Sequence, residues 1–166
     1  MVDSAVIAVL TFFHIIAAMG WLGGVLFFLS AVGPGARSFT PPASLEFLTK
    51  VGPKQLRFFA GAATGTIVFG LMLLLATFGT DMSTWPSYIE VGFTLGLIAY
   101  LIAVLVTIPT FRKVDKIARQ MMANPQGGPP PAEFPRLLKR ANLAAMAVAA
   151  ILILTLVFMV SSAVFT

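Results

Sequence analysis

Four stretches of this chain contain no Asp, Glu, Lys or Arg: residues 4–36, 58–80, 91–111 and 141–166. Each holds at least 21 residues, and crossing the hydrocarbon core of a bilayer takes about 20 residues of α-helix. Backbone amides have no water to bond there, so each stretch must satisfy its own hydrogen bonds as a helix. A barrel would instead alternate polar and apolar residues over short segments. With 58% hydrophobic and only 10% charged residues, the chain lacks the polar surface of a soluble domain, which carries roughly 25% charged residues. The expected fold is therefore an all-α integral membrane four-helix bundle, a single domain packed as two helical hairpins. Its spans run over about 5–32, 58–80, 89–111 and 141–164, joined by basic loops at 33–57 and 112–140. The first stretch begins at Asp3 without a basic cluster and is about twice too long for the core of a leader, so it reads as a span.

The cations set the orientation. Arg37, Lys50, Lys54 and Arg57 lie between the first two spans, and Arg112, Lys113, Lys116, Arg119, Arg136, Lys139 and Arg140 lie between the last two. The other side holds only Asp3, Asp81 and Glu90. Positive charge stays inside, so both basic loops are expected in the cytoplasm and both termini outside, in the cell membrane. The nearest partners of these cations are anionic lipid headgroups, and the pI near 10.1 is no nucleic-acid footprint.

The segment TPPASLEFLTKVG predicts a short helix capped at Thr40 and started by Pro41, with Leu45, Phe47, Leu48 and Val51 on an apolar side for the interface. The outer loop offers Trp85 and Tyr88 as interfacial aromatics. Beyond Pro109, RKVDKIARQMMAN continues as a basic amphipathic helix, and NPQGGPPP at 124–131 breaks regular structure. Each half is a span, a basic Pro-containing loop with a Glu-Phe pair (Glu46-Phe47, Glu133-Phe134) and a second span, the pattern of a duplicated hairpin. Glycines four apart, Gly20 and Gly24, Gly61 and Gly65, Gly92 and Gly96, mark helix-packing faces, with Thr66 and Gly70 a further small pair. The fourth span uses Ala141, Ala144, Ala145 and Ala149 in the same role.

Candidate chemistry narrows to one residue. No carboxylate or cation sits within a span, which removes the groups that proton-driven transport and paired-carboxylate catalysis need. There is no cysteine and no phosphate-binding fingerprint. The sole histidine, His14, lies about ten residues into the first span. Thr11, one turn away, is placed to orient the imidazole, Ala17, Ala18 and Gly24 clear space on the same face, and Trp21 borders it. That surface suits a flat apolar ligand held by a neutral imidazole, such as a porphyrin. It equally suits a histidine bonding across the bundle, to Tyr100 or a threonine. Copper would want His14 clustered with methionines, and Met19, five positions on, leaves its face.

The run His14-Ile-Ile-Ala-Ala-Met-Gly-Trp21-Leu-Gly23-Gly24 resembles the first-helix motif of a group of small membrane proteins. The group includes the membrane domain of the copper-resistance protein D (CopD) family and the HemJ-type protoporphyrinogen oxidases, and the likeness extends to four spans and the Thr64-Gly65 element. The HemJ likeness implies haem binding at His14; the CopD likeness implies copper import or tolerance. The expected function is a small membrane protein of this group, with haem b, or less readily copper, at His14, and Thr11, Ala18, Trp21 and Tyr100 around it. The alternative is a non-enzymatic accessory subunit, in a homo-oligomer or a larger membrane complex. A carrier for a small hydrophobic or metal substrate is the third reading.

Overall fold

The computed structural model describes residues 2–124 and 129–161. Among the described residues, four helices are long and apolar enough to cross a membrane, over Ser4–Arg37, Gly52–Phe78, Ser87–Ala123 and Glu133–Ser161. The protein is a multi-pass α-helical bundle. Of the break expected at 124–131, residues 124 and 129–131 are outside any helix, while 125–128 and the expected end of the fourth span at 164 lie outside the described residues.

The first crossing is α1 (Ser4–Phe27), a π-helical turn at Phe28–Val32 and α2 (Gly33–Arg37). A short helix, α3 (Pro41–Lys50), leads into α4 (Gly52–Phe78), which ends at Gly79 with φ +76°. That left-handed conformation favours glycine because a Cβ there would crowd the backbone. Trp85 closes the outer turn by donating its indole N–H to the Gly79 carbonyl at 3.2 Å. The third crossing repeats the first: α5 (Ser87–Ile102), a π-helical turn at Ala103–Thr107, then α6 (Ile108–Ala123). The last is α7 (Glu133–Ser161).

The two π turns explain how prolines sit inside unbroken crossings. Pro34 and Pro109 each follow a π turn by two residues, and proline removes an amide donor while its ring crowds the carbonyl four residues back. A wide turn relieves both: the Gly33 and Ile108 amides reach back to Phe28 and Ala103. The helix expected to continue beyond Pro109 does so, and the first crossing continues past Pro34 in the same way. The helices run on past the prolines to Arg37 and Ala123 because the π turns absorb what would otherwise end them. The same device at the same place in each half matches the duplicated-hairpin pattern.

α1 packs on α4 and α5 packs on α7, giving two hairpins side by side. The core between them is built on Trp21, Val25, Ala63, Ala99, Val148 and Leu152. Large apolar side chains instead face outward, with Phe12 60%, Phe27 62% and Leu105 68% exposed. That arrangement would aggregate in water and is at home in lipid, where close approach of small residues replaces apolar burial as the packing drive. A second, smaller core at the basic end joins Val114, Ile117, Ala118 and Phe134 with Leu45 and Leu48 of α3. α3 is thus held against α6 rather than lying alone in the interface. Arg119 donates to the Thr49 carbonyl at 3.0 Å and to Asp115 at 2.9 Å, which ties the two helices. At the exposed surface of α3, the Lys50 ammonium 2.6 Å from Glu46 holds that carboxyl below its usual range by hydrogen bond and charge.

Most of the expected packing glycines sit at close contacts. A Cβ on Gly24 would lie 2.6 Å from the Phe59 ring, on Gly65 3.3 Å from Ala17, and on Gly92 2.9 Å from Met159. Gly20 would meet Phe58 and Ala62 at ordinary distance, and Gly96 would meet Thr155. Gly61 is the correction: nothing of the described protein lies within 4 Å of its missing side chain. The seam on α4 follows Phe58, Ala62, Gly65 and Phe69, and Gly61 is turned off that line.

Candidate functional site

His14 sits in the α1–α4 seam. Its Nδ1 is 3.0 Å from the main-chain carbonyl oxygen of Thr66. A carbonyl only accepts, so Nδ1 carries a proton, and in a neutral ring the lone pair is then at Nε2. Nε2 makes no hydrogen bond among the described residues. A metal-ligating histidine is usually set up in this way, with one ring nitrogen fixed by a carbonyl and the other free to bind.

The approach depends on Gly70. Thr66 and Gly70 are one turn apart on α4, and a Cβ on Gly70 would lie 2.8 Å from Cε1 and 3.0 Å from Nδ1 of His14. The missing side chain is what lets the imidazole reach a carbonyl inside another helix. The Thr66–Gly70 spacing was visible in the sequence as a packing pair; nothing in one dimension tied it to His14. Thr11 does not orient the ring, as expected from its place one turn away. Its hydroxyl donates to the Ile7 carbonyl at 2.8 Å, the bond that a helical threonine makes most easily to its own backbone.

Trp21 and Tyr100 come together, but not around His14. Trp21, 1% exposed, meets Tyr100 edge-on with ring centroids 6.5 Å apart. The Tyr100 hydroxyl is 3.3 Å from that of Thr64, either of which can donate. This cross-hairpin contact borders a cavity of about 60 Å³ between the hairpins. His14 is not among its lining residues, and Ala18 is only half-buried. The expected single pocket is therefore two places: an imidazole in the α1–α4 seam, and an apolar chamber with three hydroxyl-bearing residues between the hairpins, toward the basic end.

The donor set decides which ligands the seam fits. Among the described residues, no three His, Cys, Asp or Glu side chains cluster as metal ligands. Copper or zinc held by protein alone needs three or four donors. A porphyrin brings four nitrogens of its own and asks the protein for a single axial ligand. His14 Nε2 fits that requirement and does not fit a bare ion. The seam itself is too tight for a macrocycle, since Gly65 and Gly70 hold α4 against Ala17 and His14. A porphyrin on Nε2 would lie beside the seam rather than within it. No family model, curated protein or solved structure matches the chain.

Proposed function

We propose that this is a small haem-associated membrane protein of the CopD/HemJ-like group, in which His14 Nε2 is the axial ligand. The observation that supports the reading is the Nδ1–H bond to the Thr66 carbonyl, which in the neutral ring leaves the lone pair at Nε2. When bound, haem would supply one-electron chemistry. The chain's own part is to orient the imidazole: the Thr66 carbonyl holds Nδ1 from the neighbouring helix, and Gly70 gives the ring room to reach it. The test is a visible spectrum of detergent-purified protein, oxidised and dithionite-reduced, beside His14→Ala. A Soret band that disappears in the variant while helicity is retained is the expected result. Wild type that stays colourless after incubation with haemin would overturn it. His14 would then be interhelical glue, and the protein would read as an accessory subunit.

The proposed topology places the basic ends of the helices in the cytoplasm and both termini outside, in the cell membrane. The absence of cysteine makes this directly testable by introducing one at a time. A cysteine at Ser83, exposed in the outer turn, should react with an impermeant maleimide on intact cells. One at Gln120, exposed on α6, should react only after lysis. The opposite pattern would invert the orientation.

A further inference from the structure

The chamber beside Tyr100 does not end within the bundle. Its walls Phe28, Leu56, Phe59, Ala60, Ile108 and Phe111 also line a second cavity of about 290 Å³ nearer the basic end. Phe28 and Phe111, edge-on at 5.7 Å, border both spaces. Together they form one groove along α4. From Thr64 to Pro53 it runs eleven residues, about 16 Å at the helical rise of 1.5 Å per residue.

The groove is chemically polarised along that length. Apart from the hydroxyls of Thr64, Tyr100 and Thr107, its deep part is apolar. The mouth carries Arg57, Arg112, Gln55 and Asp115. Arg57 and Arg112 are exposed, and neither takes part in an ion pair among the described residues. Asp115 has one oxygen on Arg119 at 2.9 Å, while its other oxygen, Oδ1, is buried with no hydrogen-bond partner. A buried carboxylate oxygen left unpaired is costly, so the mouth is short of a donor. Two guanidiniums, an acceptor that lacks a donor and an apolar trough behind them describe one kind of molecule.

We propose that this groove binds a single phospholipid of anionic headgroup. Its phosphate lies between Arg57 and Arg112, a headgroup hydroxyl donates to Asp115 Oδ1, and an acyl chain enters along Phe59 and Ala60 toward Tyr100. Guanidinium forks suit phosphate oxygens in geometry as well as charge. The site is independent of any ligand at His14, which does not line the groove.

The test is native mass spectrometry of the full-length protein from mixed micelles, with phosphatidylglycerol as the probe and phosphatidylcholine as its neutral-headgroup competitor. One phosphatidylglycerol per chain should survive activation and outlast phosphatidylcholine. Arg57→Gln with Arg112→Gln should weaken it roughly 30-fold, the combined effect of two cations at a lipid headgroup. Lys54→Gln with Lys116→Gln, which removes equal charge outside the lining, should change it less than threefold. Ala60→Phe, blocking the trough without touching charge, should remove the adduct while thermal stability is kept. Equal weakening by the lysine and arginine pairs would reduce the effect to general surface charge and overturn the proposal. So would equal retention of the two lipids, or an adduct that persists in Ala60→Phe.

Discussion

Trp21→Ala should destabilise the protein by about 3 kcal/mol, measured as the free energy of unfolding in detergent with increasing dodecyl sulfate. Trp21 is among the largest side chains closed off almost completely, and it touches both hairpins through Ala63, Ala99 and Tyr100. In lipid, truncation forfeits little transfer energy, because an exposed tryptophan would still sit in hydrocarbon. What is lost is contact: small neighbours such as Ala63 and Ala99 are carried on helices and cannot collapse into the space. Trp21→Phe, which retains most of the ring contacts, should cost about 1 kcal/mol. A Trp21→Ala loss below about 1 kcal/mol would mean that the hairpins are held together elsewhere.

The second large effect belongs to Gly70. Leucine there would place its Cβ on the His14 ring, force the ring away from the Thr66 carbonyl and prise α1 from α4. The expected cost is about 3 kcal/mol, overpacking plus a lost buried hydrogen bond. A double-mutant cycle isolates the contact. In a His14→Ala background the same leucine should cost only about 1 kcal/mol, since the obstructing ring is gone. Additive losses would show that Gly70 serves general packing and does not seat the imidazole. If haem is ligated by His14, Gly70→Leu should also abolish the Soret band, which ties the stability measurement to the site.

The sequence by itself determined the membrane class, the number of helices and the basic end of the bundle. These follow from where charge is absent, and a single buried cation in hydrocarbon costs enough to make each charge-free run unambiguous. The start of α3 after Thr40, the helix beyond Pro109 and most of the packing glycines were legible too, although the Thr40 side chain makes no capping bond. The sequence held no sign of the π turns that give Pro34 and Pro109 room inside their helices.

Only the tertiary structure decided which faces meet. In water a helix announces its buried side by alternating apolar and polar residues; in lipid both sides are apolar and that signal vanishes. Gly61 and Gly65 look alike in sequence, yet one meets no described residue within 4 Å and the other meets Ala17. Thr11 looked like the partner of His14, yet the partner is a carbonyl 52 residues away on another helix. A main-chain acceptor carries no side-chain signature, so no reading of residue types could have named it. The separation of Trp21 and Tyr100 from His14, and the charged mouth of the groove beneath them, likewise arise from how two hairpins lean together. That angle is fixed by the fit of small residues across the interface, which is a property of the packed helices and not of any one of them.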